Sequence, residues 1–196
     1  MNKILLLDVD DVIITGEHFS YCLERDYGLT REDTSAFYKY DFMECLLGKA
    51  DIKKKLAPFL VEWGYKKGID TFLEYWFTSH NKIDDRIIAI VKSLNALGIH
   101  SYLATNQEKY RSEYLWETLG FKHIFTGMFS SSAIGCVKAE PEFFRYIIKT
   151  LTTEPSNLLF FDDDQKNIDS ANSVGIDACL YTDFEGFDSK IKLWTK

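Results

Sequence analysis

The sequence predicts an α/β protein: a parallel, doubly wound sheet with a small all-helical block inserted after its first strand. Three observations carry that reading. Ile4-Leu5-Leu6-Leu7 is an unbroken apolar run halted by Asp8-Val9-Asp10-Asp11, the pattern of a strand buried on both faces of a parallel sheet. From about Glu17 to Asn81 apolar residues recur at helical spacing with no convincing strand. From Asp84 onward helical and strand patterns alternate, the signature of βαβ units. The Rossmann-like core would comprise residues 1–15 and 82–196, leaving 16–81 to the helical block.

Taken in order, Thr15-Gly16 reads as a turn after the first strand. His18 to Tyr27 is helical and stops at Gly28, a residue suited to a left-handed C-terminal cap. Thr30 caps the next helix, with Asp33 replacing the usual Glu of a capping box. Another helix starts at Asp51, runs through Leu56, Phe59, Leu60 and Trp63, and ends near Gly64. Pro58 within it predicts a kink or an earlier break. The block's last helix starts near Asp70 and carries Phe72, Leu73, Tyr75, Trp76 and Phe77.

In the alternating part, Asp84 to Leu97 is amphipathic, with Ile87, Ile88, Ile90, Val91, Leu94 and Leu97 at core spacing and Gly98 closing it. Ile99 to Ala104 is a strand, followed by Thr105-Asn106-Gln107 and a helix reaching Leu119-Gly120. A short strand around Phe125 to Phe129 leads into a Ser130-Ser131-Ser132 loop and then Lys138. Pro141 to Leu151 is a helix with Pro in its first turn. Leu158 to Phe161 is a second apolar strand, ending in Asp162-Asp163-Asp164. A helix through Val174-Gly175 and a strand from Ala178 to Tyr181 follow, and Phe184 to Trp194 is expected against the sheet edge.

At 196 residues the chain can build one good core plus a small insertion. A net charge of -7 argues against a nucleic-acid partner, which would require clustered Lys and Arg. Cys22, Cys45, Cys136 and Cys179 are scattered, with no CxxC pair, and read as reduced thiols of a cytoplasmic protein. No secretory leader is apparent, and no stretch approaches a membrane span, so no membrane partner is expected. Monomer and homodimer both stay open.

In open α/β sheets ligands sit at the carboxyl ends of the strands. Here those ends carry Asp8 and Asp10, Thr105 and Asn106, Lys138, and Asp162 and Asp163. Neither GxGxxG nor GxxxxGK[ST] is present, which removes the dinucleotide and P-loop readings. Clustered carboxylates repel one another unless a cation joins them, and Mg²⁺ prefers oxygen ligands. Carboxylates, one hydroxyl and one Lys suit a metal-assisted reaction at phosphate.

The four motifs LLLDVDDVI, ATNQ, Lys138 before EPEFF, and FFDDDQKN occur in that order over essentially the whole chain. Together they resemble the haloacid-dehalogenase (HAD) superfamily of hydrolases. The resemblance implies that Asp8 is a nucleophile forming an aspartyl-phosphate and Asp10 the general acid/base. It implies that Thr105 and Asn106 bind the phosphoryl group and that Lys138 steadies the nucleophile and the developing charge. Mg²⁺ would be the cofactor, held by Asp8, Asp10 (through its backbone carbonyl) and Asp163, with Asp162 a further acidic contact. The helical block then corresponds to a cap domain that closes over the site, hinged at Thr15-Gly16 and Asn81-Lys82, and the expected partner is a small phosphorylated molecule.

The chain departs from the family where Lys138 is followed by Ala139, with Pro141 two residues on, instead of an adjoining Pro. Dehalogenating members lack the second aspartate of the first motif, so Asp10 favours phosphate-ester hydrolysis over carbon–halogen cleavage. Sugar phosphomutases share every core residue. Phosphonate-cleaving members use a cap lysine, for which Lys49, Lys53, Lys54, Lys55, Lys66 and Lys67 are available. A phospho-aspartate signalling module fits less well, because it has no inserted helical block. Thr105 could also cap the helix after it, and Asp164 and Asn167 read as capping and loop support. His18, His80, His100 and His123 read as structural or surface residues. Of the block's aromatics, Trp63, Tyr65, Tyr75 and Trp76 are expected to fill its own core, with a pocket lining as the other option.

Overall fold

The structure, a computed structural model, describes residues 3–196. Five parallel strands form one sheet: β1 (Ile4–Leu7), β4 (His100–Thr105), β5 (Gly127–Ser130), β6 (Leu158–Asp162) and β7 (Asp177–Leu180). Their order is β5-β4-β1-β6-β7. β1 is central, with Leu7 registered against Leu103 on one side and Phe161 on the other. All four of its side chains are buried, as the apolar run predicts.

Side chains alternate across the sheet. Leu5 and Leu7 join a core with Leu103, Leu159 and Phe161, covered by Ile87, Val91 and Leu94 of one helix and Phe187 and Ile191 of the C-terminal helix. Ile4 and Leu6 face the other way, into a core with Phe143, Phe144, Ile147 and Ile168. Helices therefore cover both faces. The C-terminal segment is a helix (Phe184–Thr195) packed on one face of the core, not on the edge of the sheet. Leu97, expected in the core, is 73% exposed, because the helix stops at Ala96 and Leu97 is its C-cap.

Between the first and second sheet strands lie α1 (Phe19–Tyr27), α2 (Arg31–Ala36), a π-helical turn (Phe37–Asp41), α3 (Phe42–Leu46), α4 (Ile52–Glu62) and α5 (Ile69–Ser79). Gly28 takes the left-handed cap conformation (φ 70°) after α1. The Thr30–Asp33 capping box forms in both directions. α4 is capped by Asp51 and runs unbroken past Pro58, where a kink or break was expected. The insert has its own aromatic core around Phe19, Phe37, Phe72 and Phe77, onto which Tyr110 and Tyr114 pack from the sheet side. Gly48 (φ 66°) crosses so close to the Ser132 carbonyl that a Cβ would stand 2.2 Å from it.

Two short strands hold the insert at its base. β2 (Ile14–Thr15) and β3 (Lys82–Ile83) pair antiparallel, Ile14 with Ile83 and Thr15 with Lys82. Thr15 and Lys82 were expected in a turn and a hinge; instead they are paired backbone. The remaining α-helices among the described residues are α6 (Asp85–Ala96), α7 (Lys109–Glu113, continued by a π-helical turn, Tyr114–Thr118), α8 (Ser131–Ile134), α9 (Pro141–Leu151), α10 (Gln165–Ser173) and α11, the C-terminal helix already placed. α8 occupies the stretch expected to be a serine loop. Among the described residues no helix is long and apolar enough to cross a membrane.

Candidate active site

The carboxyl ends of β1, β4 and β6 converge because these strands are neighbours in one parallel sheet. Asp8 follows β1, its N–H donating to the Phe161 carbonyl at 3.0 Å. Lys138 reaches in from the loop before α9. Its Nζ lies 2.5 Å from Asp8 Oδ1 and 2.7 Å from Asp162 Oδ2, and all three side chains are buried. Asp162 is oriented from behind: its Oδ1 accepts from the Asp164 N–H and from Asn167 Nδ2, each at 2.9 Å. Asp164 also caps α10.

Two carboxylates around one ammonium leave net negative charge in a dry site. Burial pushes the Asp8 carboxyl up to about 8, against the attraction of Lys138 and with further lift from Asp162 and Asp10. Burial would pull the Lys138 ammonium down, but Asp8 and Asp162 outweigh it and leave it raised. Asp163, at the rim, is also raised, by partial desolvation of its carboxyl and then by Asp162 and Asp11. Asp8, Asp162 and Asp163 each offer a carboxylate oxygen, and these oxygens lie within 4.8 Å of one another. A hard divalent cation fits that donor set and relieves the repulsion.

Asp10 stands apart from this triad. Its Oδ2 accepts from Gln107 Nε2 at 2.5 Å, and its Oδ1 from Arg111 Nη2 at 3.3 Å. Arg111 is buried and also donates to the carbonyls of Phe77 (2.6 Å) and His80 (3.2 Å) at the end of α5. Thr105 is buried at the end of β4. It does not cap the next helix: Glu108 does, its carboxylate accepting from the Tyr110 and Arg111 N–H groups. Asn106 Oδ1 accepts the Lys138 backbone N–H at 2.9 Å and so ties two of the loops together.

Two cavities adjoin here, sharing Asp10, Asp11 and Asn106. One, of about 250 Å³, is polar and lined by Asp8, Thr105, Lys138, Asp163 and Asn167. The other, of about 230 Å³, runs under the insert and is walled by Phe19, Phe42, Trp76 and Phe77 beside His18, His80 and Arg111. Of the aromatics named from sequence, Trp76 lines this cavity, while Trp63, Tyr65 and Tyr75 belong to the insert's core. From the sequence, Asp11, Gln107 and Arg111 have no chemical role of their own, and His18 and His80 read there as structural or surface residues. The Gln107–Arg111 spacing at a helix start was the one local signal; the His pair is joined only by the fold.

A family model for haloacid dehalogenase-like hydrolases matches residues 2–175. The chain belongs to the haloacid dehalogenase-like hydrolase family, and is a hydrolase. A sesquiterpene phosphatase (AstK) of Aspergillus oryzae is 26% identical over 106 residues, which is 51% of this chain and 51% of that protein. A drimenol cyclase (DrtB) of Aspergillus calidoustus is 34% identical over 58 residues, 30% of this chain and 11% of that one. The match thus spans about half of the first relative and about a tenth of the second. Among solved structures, an HAD-like family hydrolase of Porphyromonas gingivalis superposes with a TM-score of 0.84 at 16% identity, covering 100% of this chain and 98% of its own. The magnesium complex of an HAD family enzyme of Bacteroides thetaiotaomicron gives 0.80 at 17%, covering 95% and 98%. Both show a shared fold.

Proposed function

We propose that the chain is a Mg²⁺-dependent phosphatase acting on a small organic phosphate monoester, with residues 16–81 as a cap domain over a core of 1–15 and 82–196. The observation that carries this reading is the buried Asp8–Lys138–Asp162 arrangement opening on a polar cavity beside Asp10. Asp8 attacks phosphorus and takes the phosphoryl group as an aspartyl-phosphate while the alcohol leaves. Asp10 gives its proton to the leaving oxygen, then takes one from the water that cleaves the acyl-phosphate. Lys138 offsets charge on the phosphoryl oxygens, and the Thr105 hydroxyl and Asn106 backbone donate to them. Asp8, Asp162 and Asp163, with the Asp10 carbonyl, would hold Mg²⁺, which when bound supplies further neutralisation of that charge.

The aromatic cavity next to Asp10 suits a leaving alcohol with an apolar body, and the similarity to a sesquiterpene phosphatase supports the same reading. No lysine of the insert lines either cavity among the described residues, which favours ester hydrolysis over Schiff-base phosphonate cleavage. Phosphate release from a terpenyl phosphate, p-nitrophenyl phosphate and a hexose phosphate, with Mg²⁺ and with EDTA, tests the proposal. Release is expected to require Mg²⁺, to be best with the terpenyl ester, and to vanish in Asp8→Asn. Full activity in Asp8→Asn, or conversion of the hexose phosphate into its isomer, would overturn it.

A further inference from the structure

We propose a second metal site, for a borderline divalent ion of the Zn²⁺ class, formed by Asp11, His18 and His80. The site is separate from the carboxylate triad and does not depend on the phosphatase reading. His18 immediately precedes α1 and His80 immediately follows α5, so the two residues bracket the helical insert at its two connections. The fold brings their rings together, nearly parallel (12°), with centroids 5.6 Å apart. Asp11, in the loop after β1, faces both. Its Oδ1 is 3.5 Å from His80 Nε2, and its Oδ2 is 4.0 Å from His18 Nδ1.

Three features separate this cluster from an ordinary polar surface. Both ring nitrogens of His80 are sealed from solvent and neither makes a hydrogen bond; Nε2 has only its 3.5 Å contact with the Asp11 carboxylate, and Nδ1 has none. The residue is 8% exposed. Buried imidazole nitrogens are ordinarily hydrogen-bonded or ligated, because leaving them bare costs the desolvation of each. Second, Asp11 sits at φ 58°, in the left-handed region. Glycine would occupy that conformation without strain, so the carboxylate is presented at a conformational cost. Third, the Asp11–His80 spacing fits, and His18 stands slightly further out, at 4.0 Å from Asp11. Ligand atoms about 2.0–2.1 Å from a tetrahedral ion stand roughly 3.4 Å apart, close to the 3.5 Å between Asp11 and His80. One ligand atom from each of the three residues lies within 4.8 Å of the other two.

Two imidazoles and one carboxylate select Zn²⁺, Co²⁺ or Ni²⁺ over Mg²⁺, which prefers all-oxygen shells. A bound ion would clamp both ends of the insert to the loop that carries Asp10 and would leave a fourth position open to water or ligand.

The test is titration of the full chain with Co²⁺ in excess Mg²⁺, read by visible d–d absorption. The expected result is one equivalent with the intense bands of four- or five-coordinate ligation. His18→Ala, at an exposed side chain, and Asp11→Gly, at a backbone position that glycine favours, should each weaken that binding at least about tenfold. Asp11→Gly should leave the melting temperature unchanged or higher. Weak octahedral absorption alone, or bands indifferent to both substitutions, would overturn the proposal.

Discussion

The buried Arg111 guanidinium holds Asp10 and the end of α5 at once: Nη2 lies 3.3 Å from Asp10 Oδ1 and 3.2 Å from the His80 carbonyl. Asp10, the proposed acid/base, is thereby positioned by the same side chain that anchors the insert. Arg111→Met keeps much of the packing volume but leaves the Phe77 and His80 carbonyls without their donor. The expected cost is about 2 kcal/mol of stability. Phosphatase kcat should fall more than KM rises, which steady-state kinetics beside a urea melt would separate.

Mg²⁺ should stabilise the fold. A ligand that binds only the native state at a hundred times its Kd contributes about 2.7 kcal/mol. Thermal melts are expected to rise with Mg²⁺ and to fall back on adding EDTA. In Asp163→Asn, which removes one of the three convergent carboxylates, the rise should largely disappear.

Asp84 gives a pH-dependent stability with a definite sign. It caps α6 through the Arg86 N–H (2.9 Å), and the Arg86 guanidinium meets its carboxylate at 2.6 Å. That pairing holds its carboxyl below the usual aspartate range. The unfolded chain then binds the proton more readily, so the stabilisation is present above the ordinary aspartate value and is lost as pH falls through the folded value. Asp84→Ala should cost about 1 kcal/mol at neutral pH. The gap to the unaltered protein should narrow in acid, as chemical melts at several pH values would record.

Trp76 lines the apolar cavity while stacking on Phe19 (centroids 5.1 Å apart, 8° between planes). Trp76→Ala should raise KM about tenfold for a terpenyl phosphate, the equivalent of roughly 1.4 kcal/mol of lost contact. p-Nitrophenyl phosphate, with its smaller alcohol, should be affected less. Equal loss on both esters would remove Trp76 from substrate selection.

The sheet was legible because its two most buried strands are unbroken apolar runs, each halted by aspartates, and because Pro141 fixes the start of α9 at the predicted residue. Asp8 and Asp162 meet because β1 and β6 are neighbours in the sheet, and Lys138 reaches them from a loop. The four motifs anticipated that grouping through their family resemblance, since their order along the chain does not by itself give the order of the strands. What escaped the sequence depends on contacts between distant segments. β2 and β3 are two residues each and exist only because they pair across the whole insert. Nothing local in the sequence marks Arg111 beyond its spacing from Gln107, and it is buried where it meets the Phe77 and His80 carbonyls at the end of α5. Glu108 took the capping position that Thr105 was a candidate for, because the helix starts later than its polar approach suggested. Leu97 kept the apolar spacing of a helix that had already ended.

The β2–β3 ribbon has a consequence for how this chain could change. Thr15 and Lys82 face each other as a backbone pair, so the insert leaves and re-enters the sheet layer through adjacent positions. A segment mounted on such a neck can grow, shrink or be exchanged while the distance its ends must span stays fixed. The insert is thus a cassette: new aromatic walls could be fitted above the same aspartates without altering one strand of the sheet below.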